Sequence, residues 1–276
     1  MGSNRKHLAM TITPNKWELD VQGYLNVCNI TAATPRKQIR DFSAGVNDLG
    51  LWNSMVCWPL RSSQNYGSGT TAYSLGGLGT FNGTLVDGPT WGANGITGNG
   101  TSAYIVTEFV SNAISSLTAM TLATVGLNMA TSGASQVAMG QFGSSLDSYD
   151  LFTHQLSVGR RVAIGDSSEV LTQTTGLLAD AMLVGARIDT GLTLNVNGVE
   201  VASRTITTTP VKNARRMALF ATNSAFGQPT QADRFAGFVA SQHPFFAVFG
   251  AGLTSGNSST LYTLYKSTLG TGLGLP

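Results

Sequence analysis

The sequence predicts an all-β protein, an antiparallel sandwich of two sheets with a short N-terminal helix and a C-terminal helix. Short apolar runs recur roughly every 8–15 residues, and no helical crossover separates them between residues 60 and 250. Gly and Thr each account for 33 of the 276 residues, whereas charged residues make up only 11%. Helix surfaces normally draw on Glu and Lys, so this composition favours strands and turns.

The N-terminal helix is predicted over residues 34–49. Thr34 suits the N-cap, Pro35 suits the first helical position, and Gly50 suits the residue that ends the helix. Apolar residues recur on one face at Ile39, Phe42, Val46 and Leu49. Residues 17–27, just upstream, fit either a short helix or an extended arm.

Residues 65–102 are rich in tight-turn signals, such as Asn82-Gly83 and Asp87-Gly88-Pro89. Within them, residues 77–83 loosely resemble a Gly-rich phosphate loop. They lack its spacing and its following Lys, so a β-turn is the better interpretation.

Alternation of apolar residues predicts later strands over residues 120–129, 152–158 and 182–188. In the first, the alternation slips by one residue, which indicates a bulge. In the second, Phe152, His154, Leu156 and Val158 share a face, which makes His154 a buried core histidine. Residues 192–201 predict a hairpin closed by Asn197-Gly198.

The C-terminal helix is predicted between residues 253 and 269, where Leu261, Leu264, Tyr265 and Leu269 share a face and Gly270 follows. The chain therefore divides into two parts. Residues 1–50 form an N-terminal arm and helix, expected to be a docking segment. Residues 51–276 form the sandwich, closed by the C-terminal helix.

Several classes of protein are disfavoured by charge and hydropathy. The basic groups at residues 36–40 and 212–216 do not alternate with stacking aromatic residues, so no nucleic-acid partner is expected. The most apolar stretch, residues 235–253, is interrupted by Ser241-Gln242-His243-Pro244, so no membrane span is expected. The charged residues at the start are not followed by an apolar region, so no secretion signal is expected.

Two cysteines, Cys28 and Cys57, are too few for a disulfide framework or a four-ligand zinc site. Buried free thiols are the default expectation. A single bridge is the alternative for a protein that works outside the cell.

Four segments occur in an order that resembles a known fold. They are residues 90–96 (Thr-Trp-Gly-Ala-Asn-Gly-Ile), 118–129, 192–202 and 235–239 (Phe-Ala-Gly-Phe-Val). Together they resemble a laminin G-like, concanavalin A-type jelly-roll sandwich. The resemblance covers roughly residues 52–270, and it rests on order and spacing, since each motif alone is common.

The flanks narrow this resemblance. Leu49-Gly50-Leu51-Trp52 before the sandwich, and the helix and glycine-rich tail over residues 261–276, are similar to structural proteins of tailed bacteriophages. This implies a non-enzymatic virion protein, assembled in the host cytoplasm, with an exterior capsid decoration or cement role. Its partners would be major capsid or tail proteins, and it would form a homo-oligomer, with a trimer as one option. The alternative is a tail-associated carbohydrate-binding protein that recognises a host surface glycan.

The sequence contains few residues in patterns that would support catalysis. Glycoside hydrolysis needs two carboxyl groups about 5–10 Å apart. The close carboxylate pairs are Glu18/Asp20, Asp147/Asp150 and Asp166/Glu169. Glu18/Asp20 lies outside the sandwich, and solvated turn residues explain the other two pairs better than an acid and base do, so no catalytic residue is assigned. Calcium has only Asp147, Asp150 and Asp166 as candidate ligands near loops, without an Asp-x-Asp cluster.

Other functional residues are equally sparse. The histidines at positions 7, 154 and 243 form no ligand pair, and there is no Gly-x-Ser-x-Gly elbow. We therefore expect no metal and no cofactor. Aromatic residues that could stack on sugars are Tyr66, Tyr73, Trp91 and Tyr149. Core packing is the alternative for Trp91 and loop placement for the tyrosines, so the ligand-binding residues stay unassigned.

Overall fold

The computed structural model describes residues 14–276, apart from 132, 144–146, 156–158, 213 and 225–234. Three α-helices are present in this part of the chain: α1 Lys16–Val27, α2 Ala33–Asp48 and α3 Ser255–Ser267. None of these helices is long and apolar enough to cross a membrane.

The strands form two sheets, and neighbouring strands are antiparallel except for one parallel pair in the second sheet. Sheet A consists of β1 Met55–Pro59, β4 Thr90–Gly92, β5 Gly95–Thr97, β7 Ala119–Leu127, β12 Ala181–Ile188, β13 Gly191–Val196, β14 Val199–Thr205 and β18 Gln242–Phe249. Sheet B consists of β2 Thr71–Ala72, β3 Gly83–Val86, β6 Tyr104–Thr107, β8 Gln136–Phe142, β9 Ser148–Gln155, β10 Gly159–Ile164, β11 Leu171–Gln173, β15 Ala218–Leu219, β16 Thr222–Ser224 and β17 Phe235–Ala236.

The order of the strands within each sheet differs from their order along the chain. Sheet A runs β14-β13-β12-β7-β18-β5-β4, with β1 also paired to β18, and sheet B runs β11-β10-β9-β8-β15-β6-β3-β2. The chain crosses repeatedly between the sheets, so each is assembled from distant parts of the sequence. The predicted all-β sandwich with flanking helices is confirmed.

One hydrophobic core lies between the sheets, with Trp58, Leu122 and Phe246 from sheet A facing Ile105 and Leu151 from sheet B. All five side chains are fully buried. Burial on this scale is the main favourable term in folding.

A second core lies on the other face of sheet A, under the three helices. Phe42 of α2 packs edge-to-face on Phe245 of β18, with ring centroids 5.6 Å apart, and Tyr265 of α3 lies 4.9 Å from Phe245. The molecule is therefore a three-layer structure of helices, sheet A and sheet B. The central strands of sheet A, β7, β12 and β18, are therefore buried on both faces.

The predicted bulge in residues 120–129 is wrong, and two-sided burial is the reason. β7 pairs with β12 in unbroken register from Ala119 to Gly126. Residues 120 and 122 face the inner core, while 123, 125 and 127 face the helices. The register shift lies instead on β18, between Gln242 and Phe245.

The prediction that residues 152–158 place their apolar set toward the core between the sheets is also wrong. Tyr149 and Leu151 face the inner core, so Phe152 and His154 lie on the outer face of sheet B. His154 is nevertheless buried, as expected, and its Nδ1 lies 3.3 Å from the carbonyl of Ala134. Leu156 and Val158 lie outside the described residues.

The N-terminal segment is helical, which settles the choice left open for residues 17–27. α1 ends at Val27, and Asn29 takes a left-handed conformation while the Ile30 N–H bonds the Leu25 carbonyl. α2 spans 33–48 where 34–49 was predicted, with Ala32 at the N-cap. Pro35 is then the third helical residue, which is tolerated because the first N–H groups of a helix have no intrahelical partner.

Candidate functional site

Most carboxylates of the pairs singled out in the sequence hold local structure. Glu18 accepts from the Asn15 N–H, closing a capping box at the start of α1. Asp147 accepts from the Gly143 N–H at 3.0 Å. Asp166 accepts from the Ser168 N–H and hydroxyl at 2.6 and 2.7 Å.

Glu169 clamps a neighbouring loop. It accepts four hydrogen bonds, from the N–H and hydroxyl groups of Thr207 and Thr208. These hydrogen bonds lower the pKa of Glu169 to about 2, and the bond from the Thr208 N–H has the largest effect. A carboxylate held in its charged form this firmly is a poor proton donor at neutral pH.

Asp150 is the exception, because its carboxyl is buried. It accepts from the hydroxyls of Thr222 and Ser148, each at 2.7 Å, on the outer face of sheet B. Burial raises its pKa to about 6, although those two bonds and the charge of Arg161 lower it. The charge of Asp147, the other carboxylate of this pair, raises the pKa of Asp150 further.

The part of the chain that the structure describes contains no cluster of side chains that could hold a metal ion. No group of three or more His, Cys, Asp or Glu side chains converges there. Cys28 and Cys57 are both free and buried, as expected by default. Burial raises the pKa of Cys28 to about 12, so its thiol stays protonated and unreactive.

His243 is a structural residue. It is fully buried between Phe220 and Phe246, and burial lowers its pKa to about 3, so the ring is neutral. The Thr124 hydroxyl lies 2.9 Å from Nδ1 and donates to the Phe245 carbonyl, while the Ser241 hydroxyl lies 3.0 Å from Nε2. The ring is thus fully partnered and has no exposed edge to offer a substrate.

The predicted aromatic residues are divided by the fold. Tyr149 is buried, with its hydroxyl donating to the Val211 carbonyl at 2.6 Å. Tyr66 and Tyr73 come together edge-to-face, with ring centroids 6.1 Å apart. Tyr66 is 50% exposed. Trp91 reaches the same loop, since its indole N–H donates to the Gly69 carbonyl at 3.1 Å.

Asn65 builds this site, and the sequence analysis did not identify it. Its side-chain amide donates to the carbonyls of Pro59 and Tyr73, and its oxygen accepts from the N–H groups of Tyr66 and Tyr73. The four bonds, between 2.8 and 3.1 Å, fold the segment over residues 65–73 so that the two tyrosine rings meet. The only signal available was an Asn in a Ser-Gly-rich loop, which is too common to single out.

The rest of the loop is tied to distant parts of the molecule. The Arg61 guanidinium donates to the carbonyls of Ala93, Leu269 and Thr271. Gln64 bonds Gln38 of α2 and the Leu269 carbonyl through its side chain, and its own carbonyl accepts from the Tyr24 hydroxyl at 2.6 Å. These contacts hold Tyr66 on a rigid support, which lowers the entropy lost when a ligand binds.

Gly67, next to Tyr66, completes the turn. Its φ is 73°, in the left-handed region, and a Cβ there would lie 2.3 Å from the Ser62 carbonyl oxygen. Only glycine fits this position without distortion. The loop geometry around Tyr66 is therefore fixed by sequence as well as by its contacts.

Two clefts flank the tyrosine pair. The Tyr66 cleft, of about 360 Å³, is lined by Tyr66 and by polar side chains of Asn29, Thr31, Ser62, Ser63 and Ser68. The described residues that line it carry no charge. The Gly23 cleft, of about 230 Å³, lies between α1 and the loop over residues 73–82, and is lined by Gly23, Tyr73, Ser74, Thr80 and Asp20.

No family model matches this chain, and no curated protein matches it. Solved structures do match, among them Trypanosoma rangeli sialidase in complex with the inhibitor DANA, at a TM-score of 0.54 and 12% identity, covering 92% of this chain and 38% of that one. The same sialidase in complex with sialic acid has a TM-score of 0.51 at 14% identity, covering 85% of this chain and 39% of that one.

A point mutant of HCR/D matches with a TM-score of 0.53 and 9% identity, covering 77% of this chain and 52% of that one. At these identities the comparisons show a shared β-sandwich fold. The chain spans only about half of HCR/D and about two-fifths of the sialidase. This sandwich fold occurs both in enzymes and in binding domains.

Proposed function

We propose that this chain is a carbohydrate-binding β-sandwich domain without hydrolytic activity, and that it binds saccharide in the Tyr66 cleft. The observation that carries the proposal is Tyr66 itself, half-exposed on a loop that four Asn65 hydrogen bonds hold in place. An aromatic ring with one apolar face in solvent stacks on the C–H face of a sugar, and its phenol can bond a hydroxyl.

The cleft beside the ring suits such a ligand. Binding sites for small molecules combine apolar area with a few polar groups that fix orientation. Here Asn29, Thr31 and Ser62 offer amide and hydroxyl groups, which both donate and accept hydrogen bonds. Because no charged side chain lines the cleft among the described residues, it favours a neutral saccharide.

The comparisons support the same class of ligand at the level of fold. One similar structure is a sialidase with sialic acid bound, and sialic acid is a saccharide. The catalytic activity of that enzyme is not proposed for this chain, because the carboxylates of the close pairs here serve as loop and helix clamps or are buried.

A glycan array tests the proposal. The array carries neutral and sialylated glycans from mono- to hexasaccharides, probed with and without calcium. We expect binding, and we expect Tyr66→Ala to lower affinity at least tenfold, about 1.4 kcal/mol. Val199→Ala is the control, because Val199 is 65% exposed on β14, away from the cleft. Absence of binding to every glycan on the array, or unchanged affinity in Tyr66→Ala, would overturn the proposal.

A second candidate function is a structural component of a tailed-phage virion, as an exterior capsid decoration or cement protein. The observation that favours it is the packing of the flanking helices, which carry part of the resemblance, as one layer on sheet A. The apolar face of α2 is buried in that layer, so contacts with capsid or tail proteins would use outer residues of α1 such as Leu19 and Val27.

Cryo-electron microscopy of the phage particle tests this second function. Density for the protein over capsomer interfaces would support a cement role, and density at the tail tip would join both functions in one host-recognition protein. Absence of the protein from purified particles would rule the structural role out.

A further inference from the structure

The Gly23 cleft holds a glycine that folding does not explain. Gly23 lies in the interior of α1, where glycine destabilises a helix by roughly 0.5–1 kcal/mol relative to alanine. A Cβ at this position would meet nothing within 4 Å. Neither close packing nor a left-handed backbone requires glycine here, so its effect is to leave the cleft open.

The other glycines of the cleft are different. A Cβ at Gly76 would lie 2.1 Å from the Met55 carbonyl oxygen, and one at Gly79 would lie 2.8 Å from the Phe81 ring. Packing requires both of them. Gly23 differs from Gly76 and Gly79 because a Cβ at Gly23 would face open space, whereas the fold requires glycine at the other two positions.

The Gly23 cleft and the Tyr66 cleft share no lining residue, but they lie next to each other at two places. Tyr66 lines one cleft and Tyr73 lines the other, with their ring centroids 6.1 Å apart. At the end of α1, Val27 lines the Gly23 cleft and the next residue, Cys28, lines the Tyr66 cleft. A ligand long enough to cross the tyrosine pair would therefore contact both clefts.

The polar groups of the Gly23 cleft also suit a sugar. Thr80 contributes a hydroxyl, and the Ser74 hydroxyl accepts from the Phe81 N–H at 2.8 Å. Asp20 contributes a carboxylate that forms a salt bridge with Lys16 at 2.7 Å and accepts from the Trp52 indole N–H at 3.1 Å. A carboxylate accepts hydrogen bonds from sugar hydroxyls.

We infer that the ligand is an uncharged oligosaccharide of at least two units, with one unit stacked on Tyr66 and the next in the Gly23 cleft beside Tyr73. The inference rests on the proposed carbohydrate-binding function, and it adds a second subsite and a minimum chain length.

The test compares the whole protein with Gly23→Leu on the same array of neutral and sialylated mono- to hexasaccharides. Leucine is a better helix former than glycine and fills the open space, so the variant should fold, which circular dichroism checks. Gly256→Leu in α3 is the matched control, since its Cβ would also find room, with one contact at 3.8 Å.

In the unmodified protein we expect neutral disaccharides and longer chains to bind at least tenfold more tightly than monosaccharides. Gly23→Leu should remove that gain and leave monosaccharide affinity within twofold, whereas Gly256→Leu should change neither. Binding that does not depend on chain length, binding confined to sialylated glycans, or an undiminished gain in a folded Gly23→Leu variant would overturn the inference. Failure of the proposed function looks different, because then no glycan binds or Tyr66→Ala binds as well as the unmodified protein.

Discussion

At the scale of single residues, Asp150 shows how burial and hydrogen bonding compete at one carboxyl. Its two oxygens are satisfied by Thr222 and Ser148, yet desolvation outweighs these bonds and raises its pKa from 3.8 to about 6. The close fit extends to Gly140 on β8, where a Cβ would lie 1.9 Å from an Asp150 oxygen. Such a buried charge is a local cost to the folded state.

We predict that Asp150→Asn stabilises the protein at pH 8 and has little effect at pH 4. Because the folded pKa is raised, the favourable contribution of Asp150 is present below the unfolded value of about 3.9 and is lost as pH rises through about 6. Asparagine avoids the buried charge, can still accept from Thr222, and can donate to the Ser148 hydroxyl. The expected gain at pH 8 is about 1–2 kcal/mol, measured by urea unfolding at both pH values.

Glu169→Gln is the control with the opposite sign. The pKa of Glu169 is lowered, chiefly by the bond from the Thr208 N–H, so its stabilising effect is present above the unfolded pKa and is lost as pH falls toward about 2. Its replacement should therefore destabilise the protein at pH 8. Equal or reduced stability of Asp150→Asn at pH 8 would contradict the prediction.

The residue scale also shows what the sequence could reveal about the site. Tyr66 and Tyr73 could be identified as candidate stacking residues, because exposed aromatic residues in turn-rich segments are unusual. Nothing in the sequence distinguished them from Tyr149, which the fold buries. The contribution of Asn65 depends on bonds to Pro59 and Tyr73, and a bond network of this kind cannot be deduced from residue types alone.

At the scale of elements, the loop between β1 and β2 owes its shape to side chains more than to backbone ladders. Asn65 bonds the Tyr66 N–H within this loop, the Pro59 carbonyl at the end of β1, and the carbonyl and N–H of Tyr73 just after β2. These groups are buried or partly buried. Unpartnered buried polar groups are costly, so loss of this one side chain should affect the whole element.

We predict that Asn65→Ala loosens the loop. The free energy of unfolding should fall by about 2–4 kcal/mol, because several partly buried backbone groups lose their partners. Saccharide affinity should fall as strongly as in Tyr66→Ala, although Tyr66 is still present. Urea unfolding and the glycan array measure the two effects.

Ser63→Ala is the control for Asn65→Ala, since Ser63 lines the same cleft and its side chain makes no hydrogen bond to the described part of the chain. It should leave stability within about 0.5 kcal/mol. Unchanged stability and affinity in Asn65→Ala would mean that the loop is held by Arg61 and Gln64 alone.

Element prediction succeeded where one local rule decided the structure. Asn197 and Gly198 both have positive φ, and they join β13 to β14 in the tight hairpin that their sequence predicts. It failed where tertiary packing decided. In β7 the apolar residues face both cores, so the simple in-and-out alternation does not apply, and the sequence looked like a strand with a bulge.

At the scale of the whole molecule, the helical layer makes sheet A a buried central sheet. A sandwich alone would leave one face of each sheet in solvent, and the sequence pattern was interpreted on that assumption. Instead Phe245 and Phe249 of β18 and Val125 of β7 are fully buried beneath α2 and α3. The burial of this face of sheet A therefore depends on the helices, including α1 and α2.

We predict that residues 51–276 alone do not form a stable soluble domain. Removing α1 and α2 would expose fully buried side chains such as Phe245, and each large apolar side chain is worth about 1.5–3 kcal/mol when buried. The combined loss is on the order of 10 kcal/mol, comparable to the entire stability of a typical domain. An apolar patch of this size would also drive aggregation. Size-exclusion chromatography and thermal melting of the truncated and full chains measure the effect. A truncated protein that elutes as a compact species and melts cooperatively near the temperature of the full chain would show that sheet A is stable without its helical cover.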